Sequence, residues 1–217
     1  MFSSLVFILA GYLIGSISFA VVVSRAMGLP SPHQYGSCNP GATNVLRTGS
    51  KTAALLTLLG DAVKGGLALW LAQRIGTTML DAPHQIGEFT LASVALAAFL
   101  GHLYPVFFGF RGGKGVATAA GILVVMNAAM GAVILGVWIL VAVVTRYSSL
   151  AAITAALTAP VAAWVTFGQS WFTLAVLCMA ALLLWRHRGN IAKLRAGTES
   201  RIRLKRGGGD SSPDGRK

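Results

Sequence analysis

The sequence predicts an all-α integral membrane protein, a bundle of seven transmembrane helices with the N-terminus outside and the C-terminus in the cytoplasm. Three observations support this prediction. The 217 residues are 55% hydrophobic and only 11% charged, whereas a soluble domain averages about 25% charged residues. Apolar runs long enough to cross a bilayer recur along the chain. Most basic residues flank these runs on one side, as the positive-inside rule requires.

The apolar runs give the spans in chain order. A transmembrane helix needs about 20 apolar residues, with about 17 to 25 usual. The first run, residues 2–24, lacks the basic start of a cleaved signal peptide and is expected to be a retained span. Four further runs are expected to cross once each, and the last of them is short: residues 52–73, 89–108, 149–167 and 170–185.

Residues 116–144 form a run of 29 residues without a charged side chain, which permits two arrangements. One strongly tilted helix could hold the whole run, or two shorter helices could turn near Asn127. Two crossings give seven spans and place every basic residue except Arg74 and the intramembrane Lys64 on the cytoplasmic side. One crossing would put the loops around Lys114 and Arg146 on opposite sides, so the positive-inside rule favours two.

One transmembrane domain is expected over residues 1–206, followed by a flexible Gly- and Ser-rich tail over residues 207–217. The formal charge of +12 is attributed to topology and anionic ligands, because no RNA- or DNA-binding motif is present and nucleic acid is not an expected partner. Cys38 and Cys178 form no CxxC pair, so no metal site is expected, and no cofactor is expected either.

A polar loop, GSCNPGATNVLR at residues 36–47, separates the first two spans. Asn39-Pro40-Gly41 is a turn signal. Short polar side chains and backbone amides bind phosphate oxygens, and arginine can bind them bidentately. The candidate ligands are Ser37, Asn39, Thr43, Asn44 and Arg47. The alternative is an ordinary polar loop followed by an arginine.

A glycine-rich loop, FRGGKGVAT at residues 110–118, places Gly112, Gly113 and Gly115 around Lys114, directly before an apolar helix. Glycines let backbone amides approach a ligand closely, and a helix N-terminus with a lysine attracts anions. The spacing of a Walker A loop is missing. A turn with a topogenic lysine is the alternative, but the preceding His102-x-x-Pro motif favours an anion site.

Two further groups of polar residues accompany the spans. His187 and Asn190 follow the last span three residues apart, on one helix face, whereas the neighbouring arginines can simply anchor the helix end. Asp61 and Lys64 lie one turn apart inside the second span. Ionisable residues at membrane depth are costly and usually paired, so a structural ion pair is expected, with a transporter's relay as the alternative.

In series, these segments closely resemble the bacterial acyl-phosphate:glycerol-3-phosphate acyltransferase family, often called PlsY. The resemblance covers Gly15 to about Glu199, and each motif is modest alone but the series is highly specific. The segments that carry it are GSISF, GSCNPGATNVLRTGSK, GDAVKG, GHLYPVFFGFRGGKGVAT, TRYSSL and RHRGNIAKLRAGTE. Neither the HxxxxD signature of other glycerolipid acyltransferases nor a GxSxG elbow occurs.

The resemblance implies a seven-span enzyme of the bacterial inner membrane, with its active site at the cytoplasmic face. It implies transfer of a fatty acyl group from acyl phosphate to the 1-hydroxyl of glycerol 3-phosphate, giving lysophosphatidic acid and inorganic phosphate. This is the first acyl transfer of phospholipid synthesis. The implied partners are glycerol 3-phosphate, fatty acyl phosphate and membrane lipid.

Matching motifs assign the site residues. The implied catalytic residues are Ser37, Arg47, Lys114, His187 and Asn190. The implied substrate-binding residues are Asn39, Asn44, Gly112, Gly113 and Ser149, with Ser148 as the alternative to Ser149. His187 is a candidate general base, but a substrate phosphate oxygen could take the hydroxyl proton instead. The hypothesis here is the substrate-assisted route, in which His187 orients glycerol phosphate.

Some positions depart from the family pattern, and they concern the backbone of the first loop and its entrance. Ser18 and Ala20 stand where the family commonly has Pro and Gly, and Cys38 where it usually has Gly. Residues 31–33, Ser-Pro-His, replace a frequent Asp-x-Arg.

A transporter of organic phosphates is the rival function, but inverted repeats are not evident. A scaffold protein would leave the clustered polar residues unexplained.

Overall fold

The computed structural model describes residues 2–77 and 85–202, so the tail expected at residues 207–217 lies outside the described part. In that part every regular element is helical, which confirms the predicted all-α class. Within residues 2–77 and 85–202, ten α-helices are joined by loops and two short 3-10 turns, Leu46–Thr48 and Val106–Phe108. The helices are α1 Phe2–Gly15, α2 Phe19–Ala26, α3 Ala42–Val45, α4 Lys51–Gly76, α5 Glu88–Leu103, α6 Val116–Met126, α7 Ala128–Thr145, α8 Ser148–Phe167, α9 Trp171–Arg186 and α10 Arg188–Arg195.

Several helices are long and apolar enough to cross a membrane. In the described residues four helices, α4, α5, α7 and α8, meet this condition alone. Two bent pairs, α1 with α2 and α9 with α10, raise the number to six. Helix α6 has 11 residues and is about 17 Å long at 1.5 Å per residue, shorter than a hydrocarbon core of about 30 Å. The number of seven spans therefore stays a prediction.

The apolar run at residues 116–144 does form two helices. Helix α6 ends at Met126 and α7 begins at Ala128, and Asn127 between them is extended, with φ −158° and ψ 117°. Its side-chain oxygen accepts a hydrogen bond of 2.9 Å from the amide of Met130. This N-cap satisfies one of the donors exposed at the start of α7, which explains the break at the predicted position.

The first apolar run, by contrast, is not the continuous helix expected over residues 2–24. Helices α1 and α2 meet at an angle of 43°. Gly15 lies so close to α5 that a β-carbon there would be 2.1 Å from the carbonyl oxygen of Ala98. Past the break, the carbonyl of Ile17 accepts a hydrogen bond of 2.5 Å from Lys64 Nζ of α4. The close packing of Gly15 against α5 and the hydrogen bond from buried Lys64 together stabilise the break between α1 and α2.

Small residues bring the helices of the bundle into close contact. A β-carbon at Gly121 of α6 would lie 1.9 Å from the carbonyl oxygen of Ala62 of α4, and one at Gly65 would lie 2.5 Å from that of Thr118. Such contacts are typical of membrane helices, which associate by packing and not by the hydrophobic effect. Large apolar side chains face outward instead, for example Val144 of α7, which is 72% exposed.

The polar segments singled out in the sequence lie at one end of the bundle, called here the site end. Contacts between distant segments show this arrangement. Thr43 Oγ1 lies 3.3 Å from Ser148 Oγ, and Arg47 Nη2 donates to Ser200 Oγ at 2.9 Å. At the opposite end, Glu88 at the start of α5 accepts a hydrogen bond of 2.7 Å from the amide of Trp171. The fold thus gathers three loops and the C-terminal segment on one face.

Candidate active site

Asn44 organises the first polar loop. Its side chain is only 2% exposed. The side-chain oxygen accepts a hydrogen bond of 3.0 Å from the amide of Ser37, and the side-chain nitrogen donates to the carbonyls of Pro32 at 2.9 Å and Tyr35 at 3.2 Å. The groups of Asn44 expected to bind substrate are therefore used to hold the loop. Ser37 itself is exposed, and Asn39 is half-buried.

Two residues of this loop adopt the left-handed conformation that favours glycine. Gly36 has φ +59°, and a β-carbon there would lie 2.3 Å from Asn44 Oδ1 and 2.9 Å from Arg47 Nη1. Cys38 has φ +53°, an uncommon conformation for a residue with a side chain. This conformation gives a physical reason for the glycine that the family usually has at the position of Cys38.

The glycine-rich loop is held between α5 and α9. Arg186 Nη2 donates to the carbonyl of Gly112 at 2.7 Å, and Arg186 Nε donates to that of Gly113 at 3.2 Å. A β-carbon at Gly112 would lie 2.1 Å from the carbonyl oxygen of His102, so a larger residue does not fit. Sequence reasoning treated Arg186 only as a helix anchor, whereas the structure gives its guanidinium a direct contact with the loop that carries Lys114.

Lys114 projects from this loop to α10. Its ammonium donates a hydrogen bond of 2.5 Å to Asn190 Oδ1. Burial is the largest cause that lowers the pKa of Lys114 to about 8. The carboxylate of Glu199 opposes this shift, whereas the cations of Arg186, Lys193 and Arg47 lower the pKa further. The ammonium is thus poorly neutralised by its surroundings, which favours binding of an anion.

His187 lies just beyond the end of α9 and is 3% exposed. Its Nδ1 lies 2.8 Å from the carbonyl oxygen of Leu183. Because a carbonyl can only accept, this contact assigns the proton to Nδ1 and leaves Nε2 as an acceptor. Burial, assisted by the charge of Lys114, lowers the pKa of His187 to about 4, so the imidazole is neutral near pH 7.

Glu199 is a site residue that the sequence assignment missed. Its Oε1 accepts hydrogen bonds from Ser149 Oγ at 2.6 Å and from Asn190 Nδ2 at 2.7 Å. It closes a chain of contacts from α8 through α10 to Lys114. Its position in the motif RHRGNIAKLRAGTE, as an acid after five basic residues, was the available signal. Ser149 thus contacts Glu199, whereas Ser148 lies against Thr43.

A cavity of about 360 Å³ opens between the first loop and the glycine-rich loop. Its lining is mostly polar or basic and consists of His33, Cys38, Phe110, Arg111, Gly112 and Arg186. Two guanidinium groups at one cavity suit an anionic ligand, since arginine binds phosphate oxygens in a bidentate manner. The geometry therefore describes an anion-binding surface at one end of an apolar bundle.

Comparison with known proteins gives a consistent result. The family model described as glycerol-3-phosphate acyltransferase matches residues 5–197. The glycerol-3-phosphate acyltransferase of Ralstonia pickettii (strain 12J) is 58% identical over 200 residues, covering 92% of this chain and 94% of that protein. The protein of the same name from Paraburkholderia phymatum is 56% identical over 199 residues, covering 92% of each chain.

Two solved structures also resemble this fold. Both are crystal structures of PlsY (YgiH), an integral membrane glycerol 3-phosphate acyltransferase, at 36% identity. The glycerol 3-phosphate form gives a TM-score of 0.83 over 92% of this chain and 96% of that chain. The lysophosphatidic acid form gives 0.81 over 92% and 95%. The helical membrane bundle, the polar site end and these matches agree: the chain belongs to the glycerol-3-phosphate acyltransferase family.

Proposed function

We propose that this chain transfers a fatty acyl group from acyl phosphate to the 1-hydroxyl of glycerol 3-phosphate, giving lysophosphatidic acid and inorganic phosphate. The acceptor and product follow the two solved forms of PlsY, and the donor follows the motif resemblance. The observation that carries the proposal is the contact of Lys114, on the glycine-rich loop, with Asn190 of α10, which places a cation with a lowered pKa at the site end. Both proposed substrates bear a phosphate that needs such a cation.

The reaction balances without a covalent enzyme intermediate. The 1-hydroxyl oxygen of glycerol 3-phosphate attacks the carbonyl carbon of acyl phosphate and forms the ester bond. The bond from that carbon to the phosphate oxygen breaks, and the hydroxyl proton passes to a phosphate oxygen. Acyl phosphate is a mixed anhydride with a good leaving group, so positioning and electrostatic stabilisation supply most of the required acceleration.

The site residues take the following roles in this proposal. Lys114 and Arg47 neutralise phosphate charge, and Ser37 and Asn39 donate hydrogen bonds from the first loop. Gly112 and Gly113 bring backbone close to the substrate. Asn190 accepts the hydrogen bond from Lys114 directly, and Ser149 supports Asn190 through Glu199. Asn44 holds the loop.

His187 orients the acceptor in this proposal. Its Nδ1 contact with Leu183 leaves Nε2 free of the ring proton, so Nε2 accepts a hydrogen bond from a glycerol hydroxyl. The neutral imidazole does not add to the positive charge around Lys114. It leaves the proton transfer to the substrate phosphate, as the substrate-assisted route requires.

The proposed topology has seven spans, with the N-terminus outside and the site end facing the cytoplasm of the bacterial inner membrane. Helices α6 and α7 both meet the site end, at Lys114 and Arg146, which supports two passes joined at Asn127. Residues 1–206 form the single catalytic domain and residues 207–217 its tail. A fatty acyl chain favours hydrocarbon by about 0.8 kcal/mol per buried CH₂, so a site at the membrane end serves both substrates.

The donor is tested with purified protein in detergent. Release of inorganic phosphate from palmitoyl phosphate is measured with and without glycerol 3-phosphate, and palmitoyl-CoA is offered as a competing donor. We expect release that depends on glycerol 3-phosphate and no acylation from palmitoyl-CoA. Acylation from the thioester alone would refute the donor. Because detergent leaves no second compartment, turnover also excludes pure transport.

The topology is tested with the protein's own thiol. Cys38 is exposed on the first loop, and Cys178→Ser removes the other cysteine. A membrane-impermeant maleimide should label Cys38 in inverted vesicles and not in spheroplasts. Gln169→Cys, placed in a Cys38→Ser/Cys178→Ser background between α8 and α9, should show the reverse. Labelling of Cys38 from outside would overturn the orientation.

A further inference from the structure

A buried polar cluster lies directly below the glycine-rich loop. Asp61 and Lys64 of α4 are each 3% exposed and His102 of α5 is 7% exposed. Asp61 Oδ1 lies 2.8 Å from Lys64 Nζ and 3.6 Å from His102 Nδ1. Burying such groups is costly, and apolar residues of similar volume often replace a buried ion pair without loss of stability. Stability alone therefore does not account for this cluster.

His102 connects the cluster to the glycine-rich loop. The ring stands in the last turn of α5, where the carbonyl of His102 also accepts a hydrogen bond of 3.1 Å from the amide of Gly113. A β-carbon at Gly113 would lie 2.2 Å from His102 Nε2 and 2.8 Å from the carbonyl oxygen of Pro40. The imidazole thus has one nitrogen near Asp61 and the other against the residue that precedes Lys114.

The opposite side of the cluster is anchored as well. Lys64 Nζ donates to the carbonyl of Ile17 in the break between α1 and α2. This contact fixes the ammonium, which in turn faces Asp61. The cluster therefore runs from the broken first span, through α4 and α5, to the backbone of the loop. The Lys114–Asn190 contact lies one residue further along that loop.

We propose that Asp61 and His102 are positioning residues for acyl transfer. The carboxylate of Asp61, 3.6 Å from Nδ1, orients the His102 ring electrostatically. The ring packs against Gly113 and fixes its position, which places the Lys114 ammonium at Asn190. This inference rests on the proposed function, because it assigns the cluster to the same site. Small displacements of a charge-stabilising group cause large rate losses. The glycine-rich loop therefore needs rigid support from the His102 side as well as the Arg186 contacts from α9.

The test combines activity with chemical reactivity of Lys114. His102→Phe keeps an aromatic ring, somewhat larger than imidazole, but removes the ring nitrogens, and Asp61→Asn removes the charge. We expect kcat/KM for glycerol 3-phosphate to fall about tenfold or more in each, a loss typical of a displaced catalytic group. His102→Gln, which retains a donor and an acceptor, should recover part of it. Thr57→Val, a fully buried polar position one turn before Asp61 on α4, is the matched control and should stay near wild type.

A double-mutant cycle with Lys114→Met separates positioning from general destabilisation. If His102 acts through Lys114, the His102→Phe loss should largely vanish in the Lys114→Met background. Acetylation of Lys114 by acetic anhydride, followed by peptide mass spectrometry, gives a readout independent of turnover. Its rate should change severalfold in His102→Phe and Asp61→Asn and not in Thr57→Val.

The outcomes are distinguishable from those for the proposed function. A wild-type protein inactive with acyl phosphate refutes the proposed function, whereas the acetylation arm still tests the cluster. Unchanged Lys114 acetylation in folded His102 and Asp61 variants, or additive losses in the cycle, would overturn the positioning role. If His102→Phe does not fold, His102→Gln and Asp61→Asn provide the same comparison.

Discussion

At the scale of single residues, the proposed function depends on the charge of Lys114. The side chain is half-buried and shares its surroundings with other cations, which is why its pKa falls to about 8. Below that pKa the ammonium attracts a phosphate, and above it the neutral amine does not. The lowered pKa of Lys114 should therefore make kcat/KM depend on pH near 8.

The first prediction concerns pH. We expect kcat/KM for glycerol 3-phosphate to fall as pH rises through about 8, approaching about a tenfold fall per pH unit, because the free enzyme loses the required proton. The Lys114→Arg variant keeps its charge throughout this range, so its profile should lack that fall. The same basic limb in Lys114→Arg would show that another group titrates.

The second prediction concerns His187. In the substrate-assisted route, His187→Ala should keep kcat within about threefold and raise KM for glycerol 3-phosphate, since it removes binding and not proton transfer. Steady-state kinetics at saturating acyl phosphate measure both constants. Collapse of kcat with an unchanged KM would make His187 the general base.

The third prediction separates Asn44 from Ser37. Asn44→Ala leaves loop backbone groups without partners, each at a cost of about 1–3 kcal/mol, so it should lower thermal stability and activity together. Ser37→Ala, at an exposed position of the same loop, should leave stability unchanged and raise KM. Thermal unfolding in detergent beside kinetics makes the comparison. A stable, inactive Asn44→Ala protein would instead indicate substrate contact.

The sequence located these residues better than it assigned their roles. It placed Lys114, His187 and Asn190 on segments that do meet. It could not show that Asn44 bonds to its own loop, because such bonds depend on turn geometry and follow no periodic pattern. It missed Glu199, whose partners lie on α8 and α10 and become neighbours only after folding.

At the scale of elements, interruptions of helices determine how the bundle is built. The break at Asn127 was predictable, because two crossings fit the positive-inside rule better than one strongly tilted helix. The break between α1 and α2 was not, because Gly15, Ser16 and Ser18 are small, uncharged residues that membrane helices also tolerate. Its cause is tertiary: Gly15 against Ala98, and Lys64 at the freed carbonyl of Ile17.

The fourth prediction compares two glycines on adjacent helices. Gly121→Ala would place a β-carbon 1.9 Å from the Ala62 carbonyl oxygen, whereas a β-carbon at Gly136 of α7 meets nothing within 4 Å. We expect Gly121→Ala to separate α4 from α6 and lower stability by about 1–3 kcal/mol, as overpacking does. Gly136→Ala should unfold like wild type in detergent. Equal unfolding temperatures for the two variants would contradict the close packing of α4 and α6.

At the scale of the whole molecule, the C-terminal segment joins parts of the chain that are distant in sequence. Arg47 contacts Ser200, and Arg146 donates to the carbonyl of Ile202 at 3.0 Å. Glu199 directly precedes Ser200 in the chain, and its carboxylate offsets part of the positive charge around Lys114. The fold class followed from composition, apolar runs and their basic flanks, whereas the joining of these distant segments depends on contacts that no local pattern specifies.

The fifth prediction follows from that charge. Glu199 raises the pKa of Lys114 against the other influences, so Glu199→Gln should lower it and move the basic limb of the pH profile to lower pH. The glutamine keeps a hydrogen-bond acceptor for Ser149 and Asn190, which limits structural loss. Profiles of wild type and Glu199→Gln are compared directly. A shift toward higher pH would reverse the assigned electrostatics.

The contact between Arg47 and Ser200 also has a consequence for biosynthesis. The ribosome makes these two residues 153 positions apart, so nearly all helices must be inserted before the pair can meet. A nascent chain that lacks residue 200 can contain the first polar loop, but it cannot form this contact or complete the pocket. The pocket that the proposed function requires is therefore complete only after residue 200 has been made and the preceding helices are in place.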